Sequence, residues 1–94
     1  MSEKPLDPAT CLTLARGVKM RFDEIRGQWM LNAPERVLVL DEIAKEILSR
    51  CDGGTRISDL CWQLAIEFAE PLETVEADVM ELLQDLLHRG FLRQ

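Results

Sequence analysis

The stretch from Glu73 to Arg89, ETVEADVMELLQDLLHR, constrains the fold more than any other part of the chain. Its apolar residues Val75, Val79, Leu82, Leu83, Leu86 and Leu87 recur at helical spacing. At about 100° per residue they share one face, which predicts an amphipathic helix. With Val75 as the origin, Leu82, Leu86 and Val79 fall at about −20°, 20° and 40°, while Leu83, Leu87 and Met80 widen the stripe to about 80°, 120° and 140°. Asp78, Glu81 and Asp85 take the opposite flank. A stripe this wide is more than one core seam needs. The expectation is that Val75, Val79, Leu82 and Leu86 face the core and that the Met80, Leu83, Leu87 edge overhangs it.

The rest of the chain supplies what this helix covers. Residues 1–12 carry Pro5 and Pro8 without periodicity and read as a flexible N-terminal tail, leaving 13–94 as one domain. From Val18 the pattern alternates, with Val18, Met20 and Phe22 on one side and Lys19, Arg21 and Asp23 on the other: a half-buried strand. Gly27 closes a turn, and Gln28 to Ala33 returns as a hairpin partner until Pro34 breaks it. Arg36 to Leu40, RVLVL, is apolar on both faces. It reads as a third strand, although so short a run also fits the start of the next helix.

Asp41 is a good N-cap for a first helix faced by Ile43, Ala44, Ile47, Leu48 and Cys51, which Asp52-Gly53-Gly54 stops. Thr55 or Ser58 caps a second helix faced by Ile57, Leu60, Cys61, Leu64, Ala65 and Phe68. Gly90 ends the third, and Phe91 and Leu92 fold back on the core. The order is a three-stranded antiparallel sheet followed by three helices. This is an α+β domain of winged helix-turn-helix type.

Several function classes are excluded. Cys11, Cys51 and Cys61 have no metal or redox spacing and read as free thiols. With the single histidine, His88, no nucleophile–base set can be assembled, and Gly53-Gly54 is no phosphate loop, so neither catalytic residues nor a metal site or cofactor are expected. No apolar run is long enough to span a bilayer, and the N-terminus lacks a signal-peptide core, so a cytoplasmic protein without membrane contact is expected. Residues 1–36 hold six basic and five acidic side chains; the remainder hold five and twelve. An acidic helical half disfavours nucleic acid. What remains is a binding surface. The two-sided RVLVL strand and the overhang, if adjacent, frame a groove for an extended peptide. Otherwise the overhang packs on the first or second helix.

The segments RGVKMRFDEIRGQW (Arg16 to Trp29), LNAPERVLVLDEIAKEIL (Leu31 to Leu48), CDGG (Cys51 to Gly54) and VEADVMELLQDLLHRGFL (Val75 to Leu92) occur in this order. In that series the chain resembles the PqqD family of pyrroloquinoline quinone biosynthesis, from about Leu14 to Leu92. The resemblance implies a non-catalytic peptide chaperone and recognition element. Its partners would be the ribosomal precursor peptide PqqA and the radical SAM enzyme PqqE, which cross-links a Glu and a Tyr of that peptide. It also implies that the peptide adds as a strand to the third strand and packs on the third helix. Carried over by position, the site is Arg36, Val37, Leu38, Val39 and Leu40 with Val79, Met80, Leu83 and Leu87. On this placing Leu83→Asp and Val39→Asp weaken peptide binding in a folded domain. Arg56 departs from the family pattern, where a small hydroxyl residue would cap the second helix more naturally. The other reading is a winged-helix DNA-binding regulator. It fits the helix order but not the charge: from Glu70 to Arg89 there are six acidic residues and one arginine.

Overall fold

A computed structural model describes residues 6–94. The elements are β1 (Cys11–Leu14), β2 (Lys19–Asp23), β3 (Gln28–Ala33), β4 (Arg36–Leu40), α1 (Glu42–Ser49), β5 (Asp52–Arg56), α2 (Ile57–Glu67), α3 (Leu72–His88) and β6 (Leu92–Arg93). They form two antiparallel three-stranded sheets, ordered β2-β3-β4 and β5-β1-β6, with three helices. No helix is long and apolar enough to cross a membrane.

The meander β2-β3-β4 matches the sequence reading, and local chemistry explains it. The Asp23 carboxylate accepts from the amides of Ile25 (3.0 Å) and Arg26 (3.2 Å), and Gly27 takes φ +66° to close the first turn. Pro34 and Glu35 (φ +67°) make the second turn, after which Arg36 pairs with Ala33. The register places Met20, Leu31 and Leu38 in one cross-strand row and Arg21, Met30 and Val39 in the next. Since successive residues point to opposite faces, Leu31 and Leu40 go to the core and Val37 and Val39 go outward.

The second sheet is the main departure from expectation. Asp52-Gly53-Gly54 is not just a helix stop: it begins β5, which pairs with β1 (Cys11↔Arg56, Thr13↔Asp52). Asp52 orders this turn by accepting from the amides of Gly54 and Thr55, both at 2.9 Å. Those bonds, the Gly54 amide first, hold its carboxyl below the ordinary range. On the other side of β1, Thr13 pairs with Arg93 and Leu14 with Leu92. The expected tail is therefore shorter than residues 1–12. Leu6 is buried and Cys11 opens β1; residues 1–5 of that tail lie outside the described residues.

The same N-terminal segment solves the cap of α2. Neither Thr55 nor Ser58 caps it; Arg56 stands at the N-cap, and its side chain caps no amide but donates to Asp59 at 3.1 Å. The free amides at this helix start are met instead by carbonyls from the N-terminal segment: Ile57 donates to Thr10 (3.0 Å) and Ser58 to Pro8 (2.9 Å). By contrast α1 begins as expected, with the Asp41 carboxylate accepting from Ala44 at 2.7 Å. Helix α3 ends at Gly90 (φ +82°), where Gly90 donates to Leu87 and Phe91 to Leu86, a Schellman closure.

The core gathers Leu12, Leu31, Ile47, Ile57, Leu60, Leu83, Leu86 and Phe91, with no buried charged or polar residue among those described. Arg50 pins α1 to α2 above it: its guanidinium donates to Glu46 (3.0 Å), Gln63 (3.0 Å) and Glu67. Lys45, first, and then Arg50 hold the Glu46 carboxyl below its ordinary value.

The cysteines are free. Burial, helped by the charge of Asp52, pushes the Cys51 thiol up to about 12, and burial with Glu76 pushes Cys61 up to about 11. Neither is a thiolate at neutral pH, so alkylation of the folded chain at pH 8 is expected to label Cys11 fastest. Cys51 and Cys61 follow only on denaturation, as mass spectrometry of the labelled chain would show. Folded values above the unfolded ones mean that the contribution of these thiols is fully present below the ordinary thiol pKa. It is lost as pH rises toward the folded values.

Candidate functional site

β4 is an edge strand: among the described residues only β3 pairs with it. Val37 and Val39 are 61% and 51% exposed on its outer side. Arg21 and Met30 share the cross-strand row of Val39. A free ladder edge with exposed β-branched side chains is a template for an added strand.

Two contacts fix how α3 lies beside this edge. At the start of β4 the Arg36 guanidinium donates to the Arg89 carbonyl at the end of α3, and it stacks 4.3 Å from the Phe91 ring. Past the other end of β4, Ile43 in the first turn of α1 lines a pocket with Val75 and Asp78 of α3. Strand and helix therefore run antiparallel. The row Val75, Asp78, Leu82, Asp85, at steps of three and four, spans from one contact to the other. Asp78, Glu81, Leu82 and Asp85 also line a shallow hollow along the same flank.

The pocket at the α1 end measures about 330 Å³ and is walled by Ile43, Ile47, Leu64, Phe68, Val75 and Val79, with Asp78 and Glu70 at its polar edge. It is mostly apolar with few polar groups, as side-chain and ligand pockets are.

The expected residues divide against this geometry. Val37, Leu38, Val39 and Leu40 stand on the free strand, with Leu38 half-buried and Leu40 buried on the inner face. Arg36 lies at the start of the strand, but its guanidinium is committed to Arg89 and Phe91. Leu83 is 0% exposed: it belongs to the core and does not overhang it. Met80 and Leu87 are half-buried and packed against the core, and Val79 is buried with one side on the pocket. The core stripe is centred on Val79, Leu83 and Leu86, a rotation of roughly 40° from the expected stripe. Helix α2 is the chief partner of α3, and β6 packs on it as well, so Leu12, Phe91 and Leu92 join the same core. Ile43, Val75, Asp78 and Leu82, which line this pocket or the hollow along α3, are not among the expected site residues. The usable signal was Ile43, four residues before Ile47, which widens the apolar face of α1 beyond Leu48 and Cys51.

The Arg36 clamp has a measurable consequence. Arg36→Ala removes a charge-assisted hydrogen bond and a cation–π contact that tie β4 to the end of α3. The expected loss is about 1–2 kcal/mol, read from the midpoint of urea unfolding.

The model of the family described as Coenzyme PQQ synthesis protein D (PqqD) matches residues 28–92. The chain belongs to the PqqD family. Among its relatives, the PqqA binding protein of Bradyrhizobium diazoefficiens is 46% identical over 81 residues, covering 86% of this chain and 79% of the relative. The PqqA binding protein of Gluconobacter oxydans is 36% identical over 94 residues, covering 98% of each. The solution structure of the PqqD truncation of Methylobacterium extorquens PqqCD is described as a functional, stand-alone recognition element for ribosomally synthesized, post-translationally modified peptides. It superposes with TM-score 0.82 at 31% identity, covering 95% of each chain. The crystal structure of PqqD from Xanthomonas campestris gives TM-score 0.61 at 37% identity, covering 95% of this chain and 99% of that one. A PqqD protein is a peptide-recognition element of pyrroloquinoline quinone biosynthesis, not an enzyme.

Proposed function

We propose that the chain binds the PqqA precursor peptide as a strand added to the free edge of β4 and presents it to the radical SAM enzyme PqqE. One observation carries the strand reading: among the described residues β4 is an unpaired edge bearing exposed Val37 and Val39, and the first turn of α1, which follows it, lines an apolar pocket between the three helices. Main-chain hydrogen bonds to β4 supply sequence-independent affinity, and alternate side chains of the guest supply specificity. The guest residue beyond Leu40 would seat an apolar side chain between Ile43 and Val75. Its outward neighbours would lie over Val37 and Val39. The names of the relatives support PqqA as the guest. The helix wall is Val75, Asp78 and Leu82, in place of the Met80, Leu83 and Leu87 edge.

The test is an amide NMR titration of the chain with synthetic PqqA. The expected shifts cluster on Arg36–Leu40, on Ile43 and on the Val75–Leu82 flank. Shifts confined to β5-β1-β6 would remove the β4 groove. Adding PqqE to the saturated complex is expected to shift a second, separate set of amides, and no second set would remove the presentation step.

A further inference from the structure

The peptide groove leaves one apolar surface unused. On α2, Trp62 and Ile66 are 61% and 64% exposed, although both are large and apolar. Four residues apart, they stand one above the other as a ridge. A hollow lies on each side of it. One is lined by Trp62, Ala65, Ile66 and Leu72 and edged by Glu70; the other by Gly54, Thr55, Trp62 and Gln63 and edged by Asp59. An exposed Trp-Ile ridge between hollows is what interface hot spots are made of, and a domain with a complete core does not need it for folding.

Charge and position say what covers it. From Ile57 to His88 the chain has eight acidic residues and no Lys or Arg, but beside the ridge Arg56 pairs with Asp59 and Arg50 with Glu67, which among the described residues leaves Glu70 as the acidic group at its edge without an ion pair. A surface that brings Lys or Arg to Glu70 around an apolar socket matches it, and an acidic one would be repelled. Glu70 edges both this ridge and the pocket at the end of the β4 groove. A partner on the ridge thus sits beside the bound peptide without covering β4. We infer that Trp62, Ile66 and Leu72 form the docking face for a protein with a basic-rimmed apolar socket, the enzyme that modifies the bound peptide. This rests on the presentation step proposed above.

The experiment measures binding of PqqA and of PqqE separately, by biolayer interferometry, to the full chain and to Trp62→Ala, Ile66→Ser and the double variant. These side chains are exposed, so circular dichroism should not change. The double variant is expected to keep PqqA affinity and to lose PqqE affinity on the order of tenfold or more, and wild-type PqqE binding should weaken as salt rises. Wild-type PqqE binding by the folded double variant overturns the docking face. So does a parallel loss of PqqA, which would assign the ridge to the peptide. A concentration-dependent dimer of the wild type that the double variant lacks, seen by sedimentation, overturns it in favour of a second copy. Val39→Asp combined with Ile43→Asp separates the readings: that double variant is expected to lose PqqA and keep PqqE. If no variant or wild type binds PqqE while PqqA binds normally, the presentation step fails with the docking face and the β4 groove stands.

Discussion

Leu83→Asp is expected to abolish folding, not to weaken peptide binding in a folded domain. The side chain is 0% exposed in a core without buried polar groups among the described residues. A carboxylate there would find no partner, and leaving a charge unpaired in such a place costs several kcal/mol. A domain of this size has only about 5–10 kcal/mol in total. Leu83→Ala, which leaves a cavity without a charge, should cost about 2–5 kcal/mol and stay folded at low temperature. The measurement is urea unfolding followed by circular dichroism, with amide dispersion as a check. A Leu83→Asp chain with native dispersion and wild-type midpoint would return this residue to the surface.

Val39→Asp combined with Ile43→Asp is expected to give the opposite result, a folded chain that no longer holds PqqA. Val39 points outward on the free strand, and Ile43 is 47% exposed at the mouth of the pocket. Ile43 also stands in the first turn of α1, where a carboxylate suits the helix dipole. The fold should therefore tolerate both. For an added strand, the Val39 change removes apolar cross-strand pairing worth about 0.2–1 kcal/mol per pair. The Ile43 change puts a charge beside Asp78 in a pocket meant for an apolar side chain, adding desolvation and repulsion. Together they should cost about 2–3 kcal/mol, on the order of a 30- to 150-fold loss of affinity by calorimetry. Unchanged affinity in the folded double variant would exclude the groove between β4 and α3.

Whatever a few neighbouring residues settle was legible from the chain. Asp41 caps α1 by reaching an amide three residues on, and Gly27 and Gly90 take the positive φ their turns need. The alternation of β2 and β3 needed only the period of two, whereas RVLVL, apolar on both faces, stayed open between a strand and the start of α1. The long helix came through with its bounds shifted by one residue at each end, as Leu72–His88. Misread features all depend on distant partners. β5 contains two glycines and β6 is two residues long, so neither carries a pattern; each is a strand only because β1 lies beside it. Arg56 looked like a poor cap and is one, yet α2 starts there because Thr10 and Pro8 bring their carbonyls to its amides.

By itself, then, the sequence determined that a wide apolar helix exists, that a short run apolar on both faces precedes the helices, and that the helical half repels phosphate. Hydrophobic period and charge count are properties of the chain. Only the tertiary structure decided which part of the α3 stripe is buried. Helix α2 packs on α3, β6 adds to that contact, and the core takes Val79, Leu83 and Leu86. Val75 and Leu82 are left half-buried and Asp78 exposed. A helix stripe gives the width of the apolar face; what packs on it gives the direction, and here the partners are α2 and the C-terminal strand β6.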